Sequence, residues 1–75
     1  MNERFEPDIK ERIATIADNG KGGTIELNLV SYNGHPAKID LRKWYKGQAQ
    51  RGIGLTEAEA GILLAALQKY LKKGE

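Results

Sequence analysis

The chain contains no cysteine and a single histidine, His35. Neither a disulfide nor a thiolate metal site can therefore stabilise it, and a metal site made of several histidines is excluded. No apolar run approaches the roughly 18 residues that a membrane-spanning helix needs. One domain of 75 residues buries too little surface to be more than marginally stable alone. We therefore expect no metal, no cofactor and no membrane span, and we expect oligomerisation to supply the missing stability.

The N-terminal residues do not have the pattern of a targeting segment. Residues 1–7 are polar and charged, with no apolar core, so no signal peptide is expected. Together with the lack of cysteine, this predicts a cytoplasmic protein, with association with the nucleoid left open. We expect residues 1–10 to be a flexible N-terminal segment and residues 11–73 to form one domain.

The basic residues are concentrated in one stretch. The whole chain has a net charge of +2, whereas residues 38–51 carry five basic side chains and one acidic side chain, a net charge of +4. The basic residues are Lys38, Arg42, Lys43, Lys46 and Arg51. A local excess of this kind indicates a site for a polyanion. The alternative interpretation is a charged face that contacts only solvent.

Residues 38–44 alternate with the two-residue period of a strand. Ile39 and Leu41 would face the core, and the opposite face would carry Lys38, Asp40, Arg42 and Trp44. Such a face can bind single-stranded nucleic acid, because bases stack on the rings and the cations follow the phosphates. The alternative is a solvated strand face on which Trp44 packs against a neighbour.

A second alternating stretch precedes this one, at residues 24–32, and its core-facing residues would be Ile25, Leu27 and Leu29. Asn33-Gly34 after it predicts a tight hairpin turn. The turn would place Tyr32 and Trp44 on the outward faces of neighbouring strands, where both could belong to one exposed surface. We interpret His35 as a turn residue.

Residues 8–17 fit two structures. Ile9, Ile13 and Ile16 have helical spacing, which favours a helix. The same residues could instead form a strand, with the glycine-rich residues 18–23 as a hairpin loop and Lys21 at its tip. That loop is not a phosphate-binding P-loop, because no helix follows it and it lacks the Gly-Lys-Ser/Thr ending.

After a polar loop at residues 46–50 and a short strand at residues 52–55, Thr56 and Glu59 form a capping box that begins the C-terminal helix. The helix is expected to run to about Lys72 and to end at Gly74. Its main apolar stripe consists of Ala60, Leu63, Leu64, Leu67 and Leu71, and a second, adjoining stripe consists of Ile62, Ala66 and Tyr70. Together they cover roughly 200° of arc, more than a helix presents to one sheet. We therefore predict that the second stripe is a dimer interface; the alternative is that Phe5 and the N-terminal segment cover it.

Three segments in this order resemble the positive cofactor four family of transcriptional coactivators, and within it the small YdbC-type bacterial proteins. The segments are ELNLVSYNG (residues 26–34), KIDLRKW (residues 38–44) and RGIGLTEAE (residues 51–59), followed by the terminal helix. The resemblance covers most of the chain. It implies an α+β fold with a four-stranded antiparallel sheet followed by a C-terminal α-helix, and it settles residues 12–23 as a first strand and hairpin. It also implies a homodimer that binds single-stranded DNA with low sequence specificity.

The resemblance also implies a set of binding residues. Lys38, Arg42 and Trp44 match positions that meet DNA, and Arg51 stands where the family usually has lysine. Tyr32 replaces a tryptophan of the bacterial branch, which offers a smaller stacking surface. The predicted nucleic-acid-binding set is Lys21, Asn28, Tyr32, Lys38, Arg42, Trp44, Lys46 and Arg51. The loop after Trp44 is shorter than in most relatives, and the long regulatory tail of the eukaryotic coactivator is absent.

The predicted function is therefore that of a homodimeric single-stranded nucleic-acid-binding protein in transcription regulation or in DNA replication or repair. DNA and RNA remain open as partners. The alternative class is a protein-interaction module with Trp44 as its anchor, which salt-insensitive binding would indicate. No enzyme and no small-molecule substrate are expected, because the acidic residues are scattered and Ser31 has no evident catalytic base beside it.

Overall fold

The computed structural model of the protein describes residues 7–73. Its elements are β1 (Pro7–Asp18), β2 (Gly23–Tyr32), β3 (Lys38–Tyr45), β4 (Gln48–Leu55) and α1 (Glu57–Lys73). The strands pair in the order β1-β2-β3-β4, and each neighbouring pair is antiparallel. The predicted fold, a four-stranded antiparallel sheet followed by a C-terminal helix, is confirmed.

The N-terminal boundary differs from the prediction. β1 begins at Pro7, so residues 7–10 belong to the sheet and the predicted flexible segment of residues 1–10 is wrong for this part. Residues 1–6 and 74–75 lie outside the described residues. The same is true of two predictions that fall on them, the covering of the helix by Phe5 and the helix end at Gly74.

β1 is a strand, although its isoleucine spacing favoured a helix. Its register against β2 shifts three times, between residues 9 and 11, 12 and 14, and 15 and 17. Each shift leaves one extra residue in β1, namely Lys10, Ile13 and Ile16. A bulge at every third residue turns the two-residue period of a strand into a spacing of three. That spacing imitates the period of a helix, which explains why periodicity alone was misleading.

Two tight turns connect the later strands. Asn33 and Gly34 have φ values of 53° and 79°, and Lys46 and Gly47 have φ values of 48° and 81°. Positive φ at both central residues is the requirement of a type I′ hairpin turn. The predicted turn at Asn33-Gly34 is confirmed. The predicted polar loop at residues 46–50 is wrong beyond Gly47, because β4 already begins at Gln48.

The two faces of the sheet differ in an unexpected way. We call the face that carries Asn28, Asp40 and Arg42 the polar face, and the face that carries Leu27 and Leu41 the apolar face; the register of β2 and β3 places these residues together. The buried residues of the described chain are Asn28, Val30, Ser31, Asp40 and Trp44. All but Ser31 lie on the polar face by register. The residues of the apolar face, where the core was predicted, are therefore only partly covered within one chain.

The helix is capped as predicted. The Glu59 backbone N–H donates to Thr56 Oγ1 at 3.1 Å, and the Thr56 backbone N–H donates to Glu59 Oε1 at 2.8 Å. These hydrogen bonds hold the pKa of the Glu59 carboxyl below its usual value. The reciprocal pair satisfies two donors at the helix start.

The body of the helix is not covered by its own chain. No residue of α1 is buried. Ile62 and Tyr70 of the second stripe are 72% and 73% exposed, but Leu64 and Leu71 of the main stripe are also 57% and 64% exposed. The sheet of the same chain therefore buries neither stripe, and both are available to a partner.

Candidate nucleic-acid interface

A buried ion pair lies at the centre of the polar face. Arg42 donates from Nε to Asp40 Oδ1 at 3.0 Å and from Nη2 to Asp40 Oδ2 at 2.9 Å, which makes a bidentate pair. The Asp40 side chain is fully buried, and that of Arg42 is 11% exposed. The hydrogen bonds to Asp40 raise the pKa of Arg42 above its already high usual value. The guanidinium thus stays charged, and its charge is offset within the protein.

Two further groups fix the position of Arg42. Its Nη1 donates to the Gln50 carbonyl at 2.7 Å, at the point where β4 bulges against β3. The guanidinium carbon lies 5.1 Å from the centre of the Tyr32 ring, within the range of a cation–π contact. Arg42 is therefore held over an aromatic ring instead of extending into solvent.

Tyr32 belongs to the same network. Its hydroxyl donates to Asp40 Oδ2 at 2.9 Å. Burial, reinforced by the hydrogen bond to the Asp40 carboxylate, raises the pKa of Tyr32 to about 12. The ring is half-buried, so part of it is accessible at the upper end of the sheet, beside the Asn33-Gly34 turn. Tyr32 is the one aromatic residue of the predicted binding set that reaches the surface.

The second acidic residue of the polar face is also neutralised locally. Glu26 accepts hydrogen bonds from Thr24 Oγ1 at 2.7 Å and from Asn28 Nδ2 at 3.2 Å. Arg12 of β1 reaches the same carboxylate, with 3.4 Å between Nη1 and Oε1. Asn28 is 1% exposed, and its side-chain amide donates to Glu26. The placement of Asn28 in the predicted binding set is therefore not supported, since the side chain is not accessible.

Trp44 does not lie on an open surface. It is 6% exposed and pairs with Thr24 of β2 and Ala49 of β4. The indole Nε1 is buried without a hydrogen-bond partner among the described residues. The prediction that Trp44 and Tyr32 share one exposed surface is wrong for Trp44. Because its ring is buried, no base can stack on it in this conformation.

The remaining cations of the predicted set are exposed. Lys38 begins β3, Arg51 lies in the bulge of β4, and Lys21 and Lys46 lie on the loops at the lower end of the sheet. The two loops are joined, because the Lys46 backbone N–H donates to the Gly22 carbonyl at 2.8 Å. Lys21, Lys46 and Arg51 form no salt bridge with any residue in the described part of the chain. The sheet therefore carries exposed positive charge along its β3–β4 half.

Sequence reasoning did not identify Tyr45 as a candidate. It is 49% exposed at the end of β3, and Lys46 Nζ lies 5.4 Å from the centre of its ring. Tyr45 is an exposed ring, as Trp44 was expected to be, but its position next to Trp44 in β3 places it on the apolar face by register. The signal was the dipeptide Lys46-Gly47, which closes a tight turn and so makes Tyr45 the last residue of its strand.

Some chemistries have no residues to support them in residues 7–73. No group of three or more histidine, cysteine, aspartate or glutamate side chains is placed to hold a metal ion there. Within the same residues no helix has the length and hydrophobicity to cross a membrane. The Asp40 and Glu26 carboxylates of the polar face both accept hydrogen bonds from neighbouring side chains.

Comparison with other proteins gives a relative but no function. No protein-family model matches the chain. A protein of Treponema pallidum (strain Nichols) that is described only as uncharacterized is 32% identical over 63 residues, which make up 84% of this chain and 74% of the relative. The match extends over most of both chains.

Proposed function

This chain belongs to one family with the uncharacterized Treponema pallidum protein, and we propose that it is a homodimeric protein that binds single-stranded nucleic acid along the β3–β4 half of its polar face. The observation that carries the proposal is the charge arrangement. Asp40 and Glu26 are neutralised by hydrogen-bonded neighbours, whereas Lys38, Arg51 and Lys46 are exposed. The result is a local excess of positive charge, as a polyanion site requires.

Stacking supports the same proposal, at a different place from the one the sequence indicated. Tyr32 presents part of a ring that is held by Asp40 and covered on one side by Arg42. Tyr45 presents a second exposed ring at the other end of the sheet, although the alternation of β3 places it on the apolar side and not on the polar face. Rings of this kind bind bases without regard to sequence, because every base has a flat face. The fold also fits the resemblance to the positive cofactor four family, and we propose that relationship as well.

The test is a salt-dependent titration with single-stranded DNA, single-stranded RNA and duplex DNA of matched length. Single strands should bind more tightly than the duplex, since stacking needs separated bases. Lys38→Gln and Arg51→Gln should each weaken binding and reduce the slope of log affinity against log salt by about one. Lys10→Gln is the matched control, because it removes the same charge from β1 at the opposite edge of the sheet. Duplex binding as tight as single-strand binding would contradict the proposal.

The two nucleic acids are separate outcomes of this titration. Tighter binding of RNA would make the protein an RNA-binding protein with the same site. A protein-interaction module anchored on Trp44 is not proposed, because that side chain is 6% exposed and offers no anchor. Any role in transcription regulation, replication or repair would follow from the strand that is bound and is proposed only in that sense.

The dimer is proposed on the exposed apolar surface. Eight apolar side chains on this side of the molecule are between 39% and 73% exposed. They are Ile13 and Ile53 of the sheet and Ile62, Leu63, Leu64, Leu67, Tyr70 and Leu71 of the helix. Exposed apolar side chains that form one large patch mark an interaction site, and we propose that these residues form such a patch. A recess on the apolar face, lined in part by Ile13, Leu29 and Ile39, lies at the start of the helix. A second copy would cover the recess and both helix stripes.

Sedimentation tests the dimer. The wild-type protein should sediment at twice its chain mass of 8.3 kDa. Ile62→Glu and Leu67→Glu should give monomers or unfolded chains, because each buries a charge in the interface. Gln68→Glu adds the same charge at a polar position of the same helix and should leave the dimer intact. A wild-type protein that is monomeric at micromolar concentration would refute the dimer.

A further inference from the structure

β4 has no side chains on the polar face where it passes the buried ion pair. Its register places Gly54 opposite Asp40 and Gly52 opposite Arg42. Both glycines are exposed. They form a bare strip of backbone next to the Asp40–Arg42 pair. Glycine weakens the interior of a strand, and it often marks a point where a ligand or another backbone comes close.

The two glycines have different reasons to be there. A Cβ atom at Gly52 would lie 2.4 Å from Arg42 Cβ and 2.6 Å from the Leu41 carbonyl oxygen, so the fold itself requires glycine at this position. At Gly54 the nearest atom to such a Cβ would be Lys38 Cδ, at 3.5 Å, which is an ordinary contact. The φ angle of Gly54 is not positive. Neither packing nor backbone conformation therefore explains Gly54.

The surroundings of the strip indicate what would occupy it. Lys38 lies against Gly54, and the exposed Arg51 precedes Gly52 in the same strand. The acid nearest to the strip, Asp40, is fully buried and paired with Arg42. Both glycines of the strip are therefore exposed, with Lys38 beside Gly54, Arg51 in the bulge before Gly52 and the nearby Asp40 carboxylate screened from solvent. This charge arrangement is complementary to a phosphate backbone and not to an acidic or neutral peptide.

We propose that the bare strip over Gly52–Gly54 is the track on which the sugar–phosphate backbone of a bound single strand crosses β4, with Lys38 and Arg51 contacting phosphates on either side of it. This inference rests on the function proposed above and specifies where on the polar face the strand runs. The backbone of the ligand can approach the sheet closely only because no side chain stands at Gly54. The bases would then lie over the part of the face that carries Tyr32.

The absence of cysteine from the chain allows a direct test. Gly54→Cys and Thr15→Cys each place a single thiol on the polar face, the second on the opposite edge strand, about three strand spacings or roughly 14 Å away. The rate of thiol alkylation is measured with and without a saturating single-stranded DNA oligonucleotide. The bound strand should slow alkylation of Gly54→Cys at least 10-fold and that of Thr15→Cys less than 2-fold.

A second pair of variants tests the track by obstruction. Gly54→Val should weaken oligonucleotide binding by about 10-fold or more while leaving the melting temperature equal or higher, since valine favours a strand. Thr15→Val, with little change in size at the opposite edge, should bind as the wild type does. Normal binding by Gly54→Val would overturn the track.

The outcomes separate the two proposals. If the wild-type protein binds the oligonucleotide but Gly54→Cys is alkylated at an unchanged rate, the track is wrong and the proposed function stands. If both thiols are protected equally, or if the Gly54→Cys thiol is unreactive without nucleic acid, the track is also wrong. If the wild-type protein binds no single strand, the proposed function fails and the track fails with it.

Discussion

The two faces of the sheet are opposites in composition and in completeness. The polar face holds Asn28 and Asp40, which are 1% and 0% exposed, and its carboxylates are bonded to neighbours. The apolar face holds Ile53, which is 56% exposed, and the helix beside it has no buried residue. Side chains of the polar face are thus buried and hydrogen-bonded within one chain, whereas large apolar side chains of the other face and of the helix remain exposed. The comparison supports the two proposals made above, a nucleic-acid ligand on the polar face and a second copy of the chain on the apolar face.

The largest expected effect is the loss of the buried ion pair, which would break the polar side of this comparison. Arg42→Ala leaves the Asp40 carboxylate buried without its cation, and we expect the free energy of unfolding to fall by about 3–5 kcal/mol. The double variant Asp40→Leu/Arg42→Met should recover most of that loss, because no unpaired charge remains. Denaturant unfolding measures both. A loss below about 1 kcal/mol for Arg42→Ala would mean that water reaches Asp40 and that the polar face is open.

This prediction also corrects the use of Arg42 as a probe of phosphate binding. The sequence analysis placed Arg42 among the cations that would follow the phosphates of a bound strand. Its donors go to Asp40 and Gln50, and its removal should act first on stability. Lys38 and Arg51, which are exposed, are the cations that can report on phosphate contacts without this complication.

A smaller effect is expected at Trp44, and it sharpens the distinction between packing and binding. Trp44→Ala should cost about 3 kcal/mol of unfolding free energy through the cavity it leaves. Trp44→Phe should cost less than half of that, because it keeps a ring and removes an indole N–H that has no hydrogen-bond partner among the described residues. At temperatures where it is folded, Trp44→Phe should bind single-stranded DNA as the wild type does. A 10-fold weaker affinity with unchanged stability would return Trp44 to the binding surface.

The elements that local chemistry determines could be predicted from the sequence. Thr56 and Glu59 identify the helix start, and Asn33-Gly34 identifies a type I′ turn, because each depends on residues within a few positions. The number of strands and their antiparallel pairing followed from the family resemblance. The exposed positions of Lys21 and Lys46 followed from their loops.

The burial of side chains could not be predicted, because it depends on contacts between strands. Alternation shows which residues share a face but not which face is covered. Trp44 was predicted to face solvent because Lys38 and Arg42 share its face. Arg42 instead bonds to Asp40, and both Asp40 and Trp44 are buried. The bulges of β1 were equally hidden, since a spacing of three is shared by a helix and by a strand that bulges at Ile13 and Ile16.

The smallest effect concerns the titration of Tyr32, which reports on the closure of the polar face without disturbing the fold. Burial and the hydrogen bond to Asp40 raise its pKa from 10.0 to about 12. Because the pKa of Tyr32 is higher in the folded than in the unfolded chain, its protonated hydroxyl stabilises the fold. This contribution to the free energy of unfolding is fully present below pH 10 and is lost as the pH rises through about 12. The ultraviolet absorbance of tyrosinate should therefore show a late step near pH 12 that is missing in Tyr32→Phe. Asp40→Asn should move that step to lower pH, and circular dichroism recorded in parallel checks that the chain is still folded. A late step that persists in Tyr32→Phe, or its absence from a protein that is still folded, would mean that Tyr32 is solvated and that the polar face is not closed around Asp40.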